Sequence, residues 1–328
     1  MQHRPLGRSG LSVSSLGLGC MGMSEFYGAR DDSESLATLD AALAAGIDFF
    51  DTADTYGHGH NEELVGRFLK SKRDKVILAT KFGIVRKPNT YERRVDNSPA
   101  YIRSACDASL QRLGTERIDL YYMHRRNPDV PIEETVGAMA ELVKQGKVKA
   151  LGLSEISVET LRRAYKAHPI AAVQSEYSLW SREPEEGMLQ ACAELGVTFV
   201  AYSPLGRAFL TGTMAKPEDL PEGDFRKANP RFQAEALERN NRLVDALGKF
   251  AAEHRAKPAQ IALAWLVNKH PHVVPIPGTK RRTYLAENAA AAEIKLNPRD
   301  IAELDRIFAP SEVAGARYTE EGMKGVGL

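Results

Sequence analysis

Short apolar runs recur eight times along this chain, each separated from the next by a longer amphipathic stretch, and that alternation limits its fold more than any other feature. The runs fall at residues 15–19, 49–52, 76–80, 118–123, 148–153, 172–174, 198–201 and 273–276. They lack polar alternation, as strands covered on both faces do. Helical patterns lie between them at 33–45, 62–70, 99–113, 132–145, 157–167, 185–195 and 258–268. The first reads as capped by Ser33 and stopped by Gly46. The strings AGID, QGKV and LGVT each set a glycine between a helix and the next strand. Alternating strands and helices imply a parallel sheet with right-handed crossovers, and eight such units make a closed α/β (β/α)8 TIM barrel. The length of 328 residues suits one barrel of about 250 plus additions, so residues 1–328 read as a single domain. Residues 1–14, with an Arg-Ser-Gly turn, predict a β-hairpin closing the barrel bottom. Residues 203–234, rich in glycine, proline and charge, form a long loop after strand seven.

Composition excludes several classes. Hydrophobic residues make up 43%, charged residues 27%, and the net charge is +1, which offers no basic excess for a nucleic-acid partner. No apolar run approaches the roughly 18 residues that would cross a bilayer. The N-terminal residues contain no apolar signal core. Cys20, Cys106 and Cys192 are odd in number and far apart, against a disulfide framework or a zinc cluster. A cytoplasmic protein without nucleic-acid or membrane partners is the expectation.

In a barrel, chemistry gathers at the C-terminal ends of strands. The second apolar run ends in FFDTADTYG, the third in ILATKFG and the fourth in LYYMHR. An acid (Asp51), a phenol (Tyr56), an ammonium (Lys81) and an imidazole (His124) therefore close three successive strands. Alone, the Asp is a cap, the Tyr a packed ring, the Lys a solvated end and the His a structural residue. Together at matching strand ends they point to proton transfer. A free phenol titrates near 10, and a neighbouring ammonium lowers that value. Lys81 in a pocket needs an anionic partner to stay charged, a role that Asp51 fits. His124 could orient a carbonyl oxygen.

The strings GIDFFDTADTYG, ILATKFG and DLYYMHR, followed by GKVKALGLSE, AVQSEYS, AYSPLGRAFLTG and IPGTKRRTYLAEN, resemble the aldo/keto reductase superfamily over residues 6–288. The wording around 206–212 and 278–288 is similar to the bacterial, fungal and plant branch with pyridoxal-reductase-like and auxin-induced-type members. The resemblance implies a (β/α)8 barrel, the catalytic tetrad Asp51, Tyr56, Lys81 and His124, bound NADPH, and reversible reduction of an aldehyde or ketone. It also implies a cofactor site. Ser154, Glu155 and Gln174 would meet the carboxamide, and Tyr202 would stack on the nicotinamide. Ser203, Leu205, Gly206 and Arg207 would line the pyrophosphate, while Gly278, Thr279, Lys280, Tyr284, Glu287 and Asn288 would hold the adenosine end. Two positions depart from the common pattern: Glu155 stands where many members have Asn, and Tyr284 where many have Arg.

Physics offers a substitute for that arginine. Lys280, Arg281 and Arg282 open the last barrel helix, and three cations at a helix N-terminus oppose its dipole unless a phosphate binds. This favours NADPH over NADH, with Lys280 as the contact. Residues 224–227 (DFRK) read equally as a clasp over the pyrophosphate or a charged surface loop. Met21, Met23, Phe26, Tyr27, Tyr91 and Trp180 are pocket candidates. Arg125 and Arg126 suit either an anionic substrate group or ion pairs on the rim.

Three other readings compete. GLGCMG at 17–22 matches the dinucleotide fingerprint G-x-G-x-x-G, but no helix pattern opens at its third glycine. His58 and His60 lie in a loop without evident carboxylate partners, which speaks against a metal-dependent hydrolase. A non-catalytic NADPH-binding regulatory barrel shares the fold, and the intact tetrad argues against it.

Overall fold

The computed structural model describes residues 1–87, 93–213, 220, 222 and 224–328. Tyr91 and part of the loop at 203–234 lie outside the described residues. In chain order the strands are β1 (His3–Pro5), β2 (Ser12–Ser14), β3 (Leu18–Gly19), β4 (Phe49–Asp51), β5 (Ile77–Phe82), β6 (Ile84–Arg86), β7 (Arg93–Val95), β8 (Ile118–Met123), β9 (Val148–Ser154), β10 (Ala172–Glu176), β11 (Thr198–Tyr202) and β12 (Val273–Pro275). Eight of them form one parallel sheet in the order β3-β4-β5-β8-β9-β10-β11-β12. The sheet closes on itself: Gly17 N donates to Pro275 O at 2.9 Å, and Gly19 bridges Gly278 in parallel. The seam is tight. A Cβ on Gly17 would sit 2.8 Å from the Phe49 ring, and one on Gly19 would sit 3.0 Å from Ile276 O.

Both faces of each strand are covered, which is why the runs read as continuously apolar. Phe49, Ala79, Leu120, Tyr122, Ala172, Val200 and Val274 fill the barrel interior, where Leu6 and Val13 of the β1–β2 hairpin plug the bottom. Thr198, at the start of β11, accepts from Gly7 N and donates to Pro5 O, fastening that plug. Gly152 faces inward under the Tyr122 ring, where a Cβ would approach to 2.4 Å. Phe50, Leu78, Tyr121, Leu151, Val173 and Phe199 face outward, into the layer of helices.

That layer contains α1 (Asp32–Ala44), α2 (His60–Leu69), α3 (Pro99–Leu113), α4 (Ile132–Lys144), α5 (Val158–Ala167), α6 (Met188–Leu195), α7 (Ala234–Glu253), α8 (Pro258–Lys269), α9 (Arg282–Ala290), α10 (Pro298–Ile307) and α11 (Glu320–Met323). Three features differ from the sequence expectation. The cap of α1 is Asp31, whose carboxylate accepts from Glu34 N, because the helix starts two residues earlier than Ser33 suggests. A β6–β7 hairpin follows β5. The twenty-residue α7 directly follows the long loop, burying Leu243, Leu247 and Phe250 on one face. Among the described residues no helix is long and apolar enough to cross a membrane.

Candidate active site

The C-terminal rim of the barrel brings the four expected residues together. Asp51 ends β4, Lys81 lies in β5, His124 follows β8, and Tyr56 opens the turn after β4. Lys81 is fully buried, and its Nζ donates to Asp51 Oδ1 at 2.5 Å, to Thr52 O at 2.8 Å and to the Tyr56 hydroxyl at 3.2 Å. The His124 ring meets Tyr56 edge-on, with centroids 5.8 Å apart. Gln174 Nε2 donates to the other Asp51 oxygen at 2.8 Å, so the carboxylate is held from two strands.

These contacts decide the protonation states. Burial pulls Lys81 down, but Asp51 and Tyr56 outweigh it, and the ammonium sits above its ordinary value. The phenol behaves differently from the sequence expectation. Burial pushes Tyr56 up, and the counter-pull of Lys81 is too small to reverse it, so its value is raised rather than lowered. A buried phenolate loses more hydration than one ammonium, itself engaged by Asp51, returns.

Around this group lie the residues expected to meet a cofactor. Ser154 ends β9 and Tyr202 ends β11. Ser203, Leu205, Gly206 and Arg207 follow β11, where Ser203, Gly206, Arg207 and Ala208 all have positive φ. Such a run turns the backbone sharply beside the barrel mouth. Gly206 has no room for a side chain, since a Cβ would lie 2.5 Å from Trp180 Nε1. Gly278, Thr279 and Lys280 follow β12, and Tyr284, Glu287 and Asn288 ride on α9. Lys280 Nζ donates to Tyr27 O at 2.5 Å and Ala29 O at 2.7 Å, tying the first βα loop to the last. Arg282 pairs with Glu34 at 3.0 Å, and Glu287 pairs with Lys257. Tyr284 is 49% exposed and lies under the Arg281 guanidinium.

Several positions have other occupations. Met23 and Trp180 are buried in the core, and Trp180 stacks on Phe209 with centroids 4.4 Å apart. His60 does have a carboxylate partner, Asp32 at 3.1 Å. Among the described residues no group of three His, Cys, Asp or Glu side chains could hold a metal ion. Arg226 pairs with Asp224 at 2.8 Å and lies over the Tyr27 ring, within the loop read as a clasp or a surface segment.

One buried side chain at the mouth escaped the sequence reading. Arg317, from the segment after α10, reaches into the mouth and pairs with both Glu155 and Glu176, the latter at 3.0 Å. It also donates to the Tyr202 hydroxyl at 2.7 Å, and Tyr318 meets the same hydroxyl at 2.9 Å. Arg207 pairs with Glu176 at 2.9 Å. Burial pushes Glu176 up, yet Arg207, Arg317 and Arg231 together hold its carboxyl at about 2. Glu155 adopts φ 55, a left-handed backbone unusual for its type, and its carboxylate also accepts from Glu176 N at 3.1 Å. The only signal in the sequence was the pair of acids, Glu155 and Glu176, at adjacent strand ends.

Comparison with known proteins places this geometry. The Aldo/keto reductase family model matches residues 15–309. The chain is 46% identical over 320 residues to a probable aldo-keto reductase 1 of Glycine max, covering 97% of this chain and 92% of that protein. It is 45% identical over 312 residues to the aldo-keto reductase yakc [NADP(+)] of Schizosaccharomyces pombe, covering 94% and 92%. Among solved structures it resembles the glycerol dehydrogenase AKR11B4 from Gluconobacter oxydans, with TM-score 0.84 and 29% identity over 92% of this chain and 94% of that one. It also resembles the holo form of the aldo-keto reductase AKR11C1 from Bacillus halodurans, with TM-score 0.78 and 30% identity over 98% and 99%. A closed parallel barrel, with an acid, a phenol, a lysine and a histidine joined at its rim and close relatives matching nearly end to end, makes this chain a member of the aldo/keto reductase family.

Proposed function

We propose that the chain catalyses the reversible reduction of an aldehyde or ketone to an alcohol, with NADPH as reductant and Tyr56 as proton donor. The supporting observation is the contact chain from Asp51 through Lys81 to the Tyr56 hydroxyl, at 2.5 and 3.2 Å. Residues able to hold the cofactor surround it. Gln174 spends its amide nitrogen on Asp51, which leaves its oxygen, with the Ser154 hydroxyl, to meet a carboxamide. The Tyr202 ring offers a stacking face. The left-handed turn at Ser203–Arg207 lies on the pyrophosphate side, and Tyr284, with Arg281 over it, gives a flat exposed surface for an adenine. Lys280 is the cation for a 2′-phosphate. Bound there, the reduced nicotinamide supplies the hydride.

The chain's own residues supply the proton. A raised value keeps the Tyr56 phenol protonated at neutral pH, ready to donate. The alkoxide that forms on the substrate is more basic than a phenolate, so the transfer is downhill. Lys81, held charged by Asp51, stabilises the phenolate left behind. His124 stands edge-on to the same phenol and directs the carbonyl oxygen toward it.

The test is NADPH consumption across a panel of aldehydes and ketones, pyridoxal included, with Tyr56→Phe alongside. A general acid contributes roughly 10²–10⁴-fold, so Tyr56→Phe should lose at least about 100-fold in kcat while still binding NADPH. Full activity in the variant overturns the assignment. NADPH binding without turnover of any carbonyl compound favours the regulatory barrel.

A further inference from the structure

Several cations at the mouth are neutralised by carboxylates. Arg86 pairs with Glu25 at 2.7 Å, Arg207 with Glu176, Arg226 with Asp224, and Arg317 with Glu155 and Glu176. Arg125, immediately after His124 at the end of β8, pairs with no carboxylate among the described residues. Its Nη1 donates to His124 O at 2.7 Å and to Ser154 Oγ at 3.2 Å, and its own carbonyl accepts from Asn97 Nδ2 at 3.1 Å. These contacts fix the side chain through Nη1, and neither involves the Nε–Nη2 edge. The guanidinium lies close enough to Tyr56 to pull on its phenol, with Tyr202 and Tyr318 also near. Glu155 contributes to the field there, but its carboxylate is engaged by Arg317.

Tyr202, Glu155 and Tyr318 keep the largely enclosed guanidinium charged against burial, yet no carboxylate bonds it directly, so an arriving anion gains a charge-assisted pair. The Nε–Nη2 edge presents two parallel N–H groups, the geometry that a planar carboxylate accepts in bidentate fashion. One unmatched positive charge suits one negative charge, hence a carboxylate rather than a phosphate dianion. The anion does not belong to the cofactor phosphates. Their proposed cradle follows β11 and β12, and β8 lies three and four strands away in the ring. We infer that Arg125 is a specificity-determining residue and that the preferred substrates are carbonyl compounds carrying a carboxylate. This inference rests on the reductase reading above.

The experiment compares 4-carboxybenzaldehyde with its neutral methyl ester, using NADPH and the full chain, in the wild type and in Arg125→Gln, Arg125→Leu and Arg125→Lys. The wild type should favour the carboxylate by about tenfold or more in kcat/KM, as a charge-assisted hydrogen-bonded pair does. Gln and Leu should collapse that ratio by about tenfold or more, chiefly through KM of the aldehyde. Lys should restore part of it, since it keeps the charge but loses the fork. A wild type without preference overturns the inference alone, as do variants that slow both aldehydes equally or change only KM for NADPH. Turnover of other carbonyl compounds of the panel but of neither aldehyde overturns this inference alone, and inactivity toward the whole panel with NADPH bound overturns the reductase reading and this inference with it.

Discussion

Asp54 sits three residues beyond the Asp51 carboxylate yet has the opposite electrostatic fate. Burial pushes its carboxyl up to about 8, Glu62 adds to the rise, and one of its oxygens has no hydrogen-bond partner among the described residues. A carboxyl whose folded value exceeds its unfolded value near 3.9 favours folding while it holds its proton. Its contribution is therefore complete below about pH 4, falls as pH climbs toward about 8, and is flat above. Asp54→Asn removes a group that must charge, so its melting temperature relative to wild type should rise between pH 5 and pH 8.5. With a folded value of about 8, the wild type loses up to about 4 kcal/mol over that window, so the relative gain should be several degrees, and thermal unfolding at the two pH values reads it directly. A constant difference would show that Asp54 does not titrate in that window. The four rim residues Asp51, Tyr56, Lys81 and His124 were legible because apolar runs mark strand ends, and strand ends mark the site. The direction at Tyr56 was not legible, since sequence reveals a neighbouring ammonium but not the depth at which both are buried.

Among elements, the strands matched their apolar runs closely because a strand covered on both faces carries no ambiguity of side. The α7 helix was missed although its signal was present, with Asn240, Leu243, Leu247 and Phe250 falling at helical spacing. The Gly- and Pro-rich loop directly before it breaks the alternation of strand and helix that marks the other helices. The approach to α9 is more instructive. Its three cations were grouped by sequence position, and the structure divides them: Arg282 answers Glu34, Arg281 covers Tyr284, and Lys280 gathers the carbonyls of Tyr27 and Ala29. Only Lys280 is held by neutral oxygens, which a phosphate can displace. Lys280→Ala should raise KM for NADPH by about tenfold or more, the weight of one charge-assisted bond, and leave KM for NADH nearly unchanged. Parallel steady-state kinetics with both cofactors check this, and an equal rise for both would assign Lys280 to loop support instead.

For the whole molecule, one long-range connection stands out at the mouth: Arg317 joins the C-terminal segment to strand ends more than 140 positions earlier. Nothing periodic marks that segment, and a lone arginine among small residues has no sequence signature, so its role emerged only from the folded contacts. Removing one partner of a buried ionic cluster leaves uncompensated charge. Arg317→Ala should therefore cost about 3–5 kcal/mol in denaturant unfolding. Adding Glu155→Gln should return part of that loss, because the orphaned acid is then neutral, and a double-mutant cycle measures the coupling. Strictly additive losses would show that Arg317 acts through packing alone.

The same linkage orders events during synthesis. Strands β9 and β10, with Glu155 and Glu176 at their tips, leave the ribosome well before residue 317 does. Until then two acids destined for a dry interior have an incomplete set of partners, and water must remain at the mouth to solvate them. The nascent barrel can pair its strands early, but Glu155 gains its arginine partner only when the segment carrying Arg317 folds back across the rim.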